Sequence, residues 1–265
     1  MFKNIIQLFK EQYEHKDLIF RMAAFDSKSN YQSHYLGTLW QFIHPAIQIA
    51  IYWVVFGLGI RNGRPVDGVP FFIWLLAGLV PWFFIAPSII QGANSIYQRL
   101  GLVSKMNFPV SILPSIKIVE ASYQFFALVF ILLIVVFGYG ITPTLYTLQL
   151  IYYVFCMFFF LFSLSVLTST ISTLVRDFQT LLQSVMRVLL YLSPIIWVPS
   201  GAIAQIMKLN PLYYIIEGFR DSLLSRQWFY DDPTYFLYFW VLNLTILYFG
   251  ANIHMKFRKN FMDYL

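Results

Sequence analysis

The chain of 265 residues is 59% hydrophobic, 20% aromatic and only 11% charged, with mean hydropathy +0.66 and a formal charge of +6. So few charges cannot cover a soluble domain of this length, which excludes a soluble enzyme or carrier. Most lysines and arginines flank apolar stretches, so the positive balance marks membrane orientation and not nucleic-acid binding.

Residues 1–35 form a cytoplasmic interfacial amphipathic helix on this reading. Phe2, Ile5, Ile6, Phe9 and Tyr13 recur at helical spacing, with Lys3, Gln7, Lys10, Glu11 and Glu14 between them, and Leu18, Met22 and Phe25 continue the stripe after a bend. The basic residues of this segment are scattered, so no cleavable leader is expected.

A transmembrane domain over 36–265 follows. Leu36–Ile60 runs twenty-five residues without a formal charge, Phe71–Tyr97 twenty-seven and Leu145–Val175 thirty-one. A bilayer core about 30 Å thick needs roughly 20 helical residues. The pattern predicts six spans, at about 36–60, 71–97, 108–140, 145–175, 178–198 and 234–255. An even number places both termini on one side. Thirteen of the eighteen Lys and Arg residues fall on that side, which makes it the cytoplasm. Cys156 is the single cysteine and lies within the fourth span, so no intramolecular disulfide exists and cysteine usage does not report the redox compartment.

The connection at 97–107 is short. Leu100, Leu102, Val103 and Met106 alternate with Arg99 and Lys105. A small amphipathic helix held between two rigid spans is a lever for a cytoplasmic partner; an ordinary basic loop is the other reading of the same residues. In the third span Lys117 and Glu120 stand three apart and can pair on one helix face.

Arg187 falls about nine residues into the fifth span with no acid nearby in sequence. It must snorkel, meet Asp177 or Glu120, or face water, and a guanidinium there suits a phosphate-bearing substrate. Trp53, Trp74, Trp82, Trp197, Trp228 and Tyr230 gather toward the outer ends, where most would form an interfacial belt and some could line a route for sugars. Arg187, Trp74, Trp82 and Tyr191 are the candidate substrate path.

Residues 199–230 are too apolar for a solvated loop and too charged to span. Pro199, Gly201 and Pro211 divide them into short helices, which predicts a re-entrant hairpin on the outer side. Glu217, Arg220, Asp221 and Arg226 are spaced so that a helix can pair several of them. Ile203, Tyr213, Glu217 and Arg220 are the candidate outer gate. No P-loop is present, His15, His34, His44 and His254 lack metal-ligand spacing, and no nucleophile–His–acid set is apparent. The chain is therefore expected to be neither catalytic alone nor a metal protein.

Several strings resemble the permease subunits of ABC-2 type transporters. They are Tyr35-Leu-Gly-Thr-Leu-Trp-Gln-Phe-Ile-His-Pro45, Lys105-Met-Asn-Phe-Pro109 with Leu113-Pro114, Ser193-Pro194-Ile195, and Asn210-Pro211 before Gly218-Phe219-Arg220. Tyr52–Arg61, Val69-Pro70-Phe71, Leu167–Thr170 and His254-Met255-Lys256 are similar to the teichoic acid translocation permeases of Gram-positive bacteria; O-antigen and capsule permeases share the plan with fewer of these strings. The resemblance implies the all-α ABC-2 exporter fold and a homodimer in the plasma membrane of a Gram-positive bacterium. It also implies two copies of a separate ABC ATPase subunit that binds ATP and Mg. Gln98, Arg99, Leu102, Val103, Lys105 and Met106 would form the coupling helix that docks on that ATPase. The implied substrate is a lipid-linked anionic polymer, wall teichoic acid on undecaprenyl diphosphate. The alternatives are another lipid-linked polysaccharide, a drug in an exporter of the same family, or the cargo of a secondary transporter.

Overall fold

A computed structural model describes residues 2–30, 35–99, 101, 108–175, 177–258 and 261. Among the described residues the chain forms ten α-helices. They are α1 (Phe2–Glu14), α2 (Lys16–Ser29), α3 (Trp40–Tyr52), α4 (Phe71–Asn94), α5 (Leu113–Gly138), α6 (Gln149–Leu174), α7 (Phe178–Tyr191), α8 (Gly201–Met207), α9 (Pro211–Leu224) and α10 (Pro233–Phe257).

Five helical stretches are long and apolar enough to cross a membrane: Gly37–Ile60, Phe71–Asn94, Val110–Gly138, Leu145–Leu174 and Pro233–Phe257. They match the first, second, third, fourth and sixth expected spans within a few residues. The first is composite, a 3-10 turn leading into α3, which loosens into a π-helix over Trp53–Ile60.

The fifth expected span, 178–198, is not one helix. α7 stops at Tyr191 after 14 residues, and the chain continues through turns to Pro199. Pro194 is the cause: it supplies no amide donor and disfavours a helical residue before it. The segment still runs most of the way across. Gln179 Nε2 donates to Ile90 O (3.1 Å), near the C-terminal end of α4, while Ile195 O and Trp74 O, near its N-terminal end, share one arginine. α7 and its turns therefore run antiparallel to α4 along sixteen residues of it, about 24 Å.

α4 is the central helix. Of its most apolar stretch 78% is buried inside the chain, against 11% for the first span, whose Ile47, Ile51, Val54 and Leu58 stay open to lipid or another chain. α5 and α6 pack on α4, and α10 packs on α6. Small residues permit the close approaches: a Cβ on Gly92 of α4 would stand 2.5 Å from Ser165 Oγ of α6, and one on Gly250 of α10 would stand 3.2 Å from Leu167. Several hydroxyls along α6 bond its own backbone, as Ser163 donates to Phe159 O and Thr168 to Leu164 O, while Ser165 Oγ is buried without a hydrogen-bond partner among the described residues.

The N-terminal segment is two helices separated at His15, not one. Both lie at the end of the bundle where the last helix finishes. Asn4 donates to Asn252 (2.8 Å), and Arg258 binds Glu11 (2.7 Å), so the described parts of both chain ends share one end of the molecule, here called the near end. Leu8 is the fully buried apolar contact of α1, while Ile6 and Tyr13 of the expected stripe remain exposed. α2 buries Ile19 and Ala23 against the start of α5 and leaves Phe25 exposed. Burial would raise the Glu11 carboxyl, but hydrogen bonds from Ser111 and Arg258 and the charge of Arg258 outweigh it and hold the group below its ordinary value.

At the opposite, far end, α9 packs against α4 and α6. Gly218 of α9 sits against the ring of Tyr153, and a Cβ there would overlap it. Gly218→Ala is expected to lower the thermal unfolding midpoint of the purified protein measurably, because tight cores tolerate added volume poorly. Gly138→Ala, where a Cβ meets nothing within 4 Å, is the control and leaves the midpoint unchanged.

Candidate functional site

Charged residues are few, and their placement at the two ends of the bundle defines the candidate site. At the near end Asp26 of α2 is shared. Arg99 binds its Oδ2, and Lys117 Nζ binds the same oxygen at 3.0 Å. Lys117 also pairs with Glu120 at 2.8 Å, as the spacing of three predicts, and Glu120 Oε1 accepts from Asn30 Nδ2 at 2.6 Å. The four charged side chains are 7–17% exposed and sum to zero. Charge balance is what lets them sit together at low dielectric. The network ties α2 to α5 and to the 3-10 turn Tyr97–Arg99 that follows α4.

At the far end the fully buried side chain is Arg220 of α9. Its guanidinium lies 3.5 Å from the ring centroid of Trp74 and donates to Trp74 O (3.1 Å), Ile195 O (3.0 Å), Pro194 O and Glu217 Oε1 (2.5 Å). The Pro194 and Ile195 carbonyls lie in the turns beyond the end of α7, and Trp74 O lies in the first turn of α4. Gly78 leaves room for the guanidinium, since a Cβ there would meet Nη2. The start of α9 is written locally: Asn210 accepts from Leu212 N (3.0 Å), Pro211 takes the first helical position, and Asn210 Nδ2 reaches Ser193 Oγ (3.0 Å).

Between α9, the 226–229 turn and the start of α10 lies a cavity of about 240 Å³. Tyr213, Glu217, Asp221, Arg226, Trp228 and Tyr235 are among its lining residues. Burial pushes the Asp221 carboxyl up to about 7, with the Glu217 charge adding to the rise and Arg226 and Arg220 opposing it. Arg226 is held by Asp67 at 3.0 Å. Thus only the Glu217–Arg220 pair of the expected acid–base set closes within the helix, and Arg226 reaches the loop after the first span.

The sequence-predicted residues divide as follows. Gln98 is exposed and Arg99 is engaged by Asp26, while Leu102, Val103, Lys105 and Met106 lie outside the described residues. Arg187 and Tyr191 are exposed one turn apart on α7. Arg187 makes no ion pair among the described residues and bonds only Gln183 O (3.4 Å); Glu120 is taken by Lys117 and Asn30. Trp74 and Trp82 are core residues, 2% and 6% exposed, and do not share a surface with Arg187. Ile203 is 54% exposed on α8, Tyr213 and Glu217 are half-buried, and Arg220 is sealed. Asp26, Asn30 and Tyr235 were absent from the sequence reading, because their partners lie far along the chain and leave no local spacing.

Five apolar spans, paired helices clamped on the near end and a short helical pair inserted at the far end define a multi-pass membrane protein of the permease type. The chain belongs to the ABC-2 type transporter family, whose model matches residues 18–224. It is similar to the O-antigen export system permease protein RfbA of Myxococcus xanthus, 23% identical over 98% of this chain and 99% of that one. Two proteins of the same name from Klebsiella pneumoniae are 26% and 24% identical, each over 94% of this chain and 95% of theirs.

Two outcomes follow from the geometry. Asp26→Asn leaves Arg99 and Lys117 short of an anion, so the variant is expected to lose about 3 kcal/mol in denaturant unfolding. Asp221→Asn is expected to act in a pH-dependent direction. Well below pH 3.8 the carboxyl is protonated in both states; as pH rises through 3.8 to about 7 the unfolded chain ionises first, so stability falls across that window. The variant therefore melts higher than the parent at about pH 8, with the gain vanishing near pH 4.

Proposed function

We propose that the chain is the membrane subunit of an ATP-driven exporter that carries a lipid-linked polysaccharide of the O-antigen type across the plasma membrane, from a cytoplasmic near end to an outer far end. The observation that carries this reading is the similarity, over 94–98% of this chain, to three O-antigen export permeases. ATP and Mg would be bound by a separate ABC ATPase subunit, two copies on a homodimer of this chain. The segment 97–107 would dock on that ATPase. The near-end network supports this role, since Arg99 and Lys117 on Asp26 join the turn entering that segment to both α2 and α5. The α8–α9 pair would gate exit.

Wall teichoic acid, an anionic polymer on the same class of carrier, is the second reading. Arg187 favours it: an exposed guanidinium without an acid among the described residues suits polymer phosphates.

The test is complementation. The chain is expressed in two strains together with the ABC ATPase subunit that co-purifies with it. One lacks its own O-antigen permease and ATPase, and the other is depleted of its teichoic acid exporter. Surface O-polysaccharide in the first and no rescue of the second is the expected result. Rescue of the second alone selects the teichoic acid reading, and rescue of neither, with the complex assembled, overturns polysaccharide export.

A further inference from the structure

We propose that the far-end cavity between α9, the 226–229 turn and α10 is a saccharide-binding site that takes a single neutral sugar ring. The proposal rests on polysaccharide export as the function and adds where a sugar unit is held.

Three features of the cavity agree. The first is the wall. Tyr213 and Tyr214 of α9, Trp228 and Phe229 of the turn, and Tyr235 of α10 surround it, with Tyr153 of α6 also in the lining. The rings are fixed by one another: Tyr235 stands edge-on to Tyr214 with centroids 5.2 Å apart, and Trp228 lies 4.8 Å from Tyr146. Rigid aromatic walls with a few placed polar groups are how small-molecule sites combine contact and orientation. The C–H faces of a sugar ring supply the matching apolar surface.

The second feature is unspent hydrogen-bonding capacity. The Asp221 carboxylate makes no hydrogen bond or ion pair among the described residues. The Tyr235 hydroxyl and Arg226 Nη2 are buried and have no hydrogen-bond partner among the described residues, though Arg226 keeps its ion pair with Asp67. By contrast the Tyr214 hydroxyl is already held by Tyr152 at 3.0 Å, and an Asp232 oxygen accepts from Tyr235 N at 3.1 Å. Buried polar groups without partners are uncommon in folded proteins, so the Tyr235 hydroxyl is open to a bound group, and the half-buried Asp221 carboxyl lines the same cavity. A carboxylate acceptor and a phenol, which donates or accepts, lining one small cavity fit two hydroxyls of one sugar ring.

The third feature is charge. Glu217 pairs with Arg220 and Arg226 with Asp67; of the other charged lining residues, Lys208 stands over the Tyr235 ring at 5.7 Å, and Asp221 and Asp232 are two carboxyls against that one ammonium. No cationic excess exists to hold a phosphate. No group of three metal-ligating side chains gathers there among the described residues. A neutral polyhydroxyl ligand is what remains. The volume of about 240 Å³ falls below the roughly 300 Å³ where drug-sized sites begin, so the cavity admits one ring and not an oligomer.

The test uses the purified permease–ATPase complex in nanodiscs without ATP. Methyl glycosides of glucose, galactose, mannose and N-acetylglucosamine are titrated in the millimolar range, read by tryptophan fluorescence and saturation-transfer NMR. Saturable binding of at least one is expected. Asp221→Asn should weaken it about tenfold, and the near-isosteric Tyr235→Phe, which keeps the wall, should weaken it several-fold. Inorganic phosphate should not compete. No saturable binding of any glycoside, equal binding in both variants, or displacement by phosphate would overturn the proposal. The complementation result is separate: sugar binding without export leaves the site and removes the transport reading, and export without sugar binding does the reverse.

Discussion

The far end of this molecule depends on one buried guanidinium. A chain in a membrane must satisfy every backbone group internally, and α7 breaks that rule when it stops at Tyr191. Arg220 restores it by donating to the carbonyls of Pro194 and Ile195, and by the same side chain it grips Trp74 at the start of α4. One residue thus joins three segments, and α9 is held against the bundle instead of hanging in solvent. The stack on Trp74 and the pair with Glu217 offset the cost of burying the charge.

The near end solves a different problem. Two amphipathic helices bury Leu8, Ile19 and Ala23 against the spans, and polar links add to that apolar contact. Asp26, Lys117, Glu120 and Asn30 fix α2, while Asn4 and Glu11 fix α1 to α10. Because Arg99 joins the same network, displacement of the segment after α4 is felt by α2 and α5 together.

Much of the fold was legible in the sequence, for physical reasons. The spans announce themselves because lipid tolerates few charges, and five of the six expected ones stand as long helices. The break between α8 and α9 was legible from Pro211, while the cap that Asn210 makes there shows only in the structure. The Lys117–Glu120 pair followed from helix spacing. What hydropathy cannot see is a backbone break inside an apolar run: 178–198 stays apolar through Pro194 and so looked like one span. Nor does one sequence give tertiary partners. Arg99 looked free to meet another protein because Asp26 lies 73 residues away, and Trp74 looked like a path residue because nothing local shows it beneath Arg220.

In the proposed orientation the α8–α9 pair lies on the outer side and α1 on the cytoplasmic side. Single cysteines replacing exposed Ile203, Leu209 and Tyr13, in a Cys156→Ser background, measure it directly with a membrane-impermeant maleimide on intact cells. The account predicts labelling at 203 and 209 in intact cells and at 13 only after permeabilisation. Labelling of 203 and 13 from the same side would contradict it.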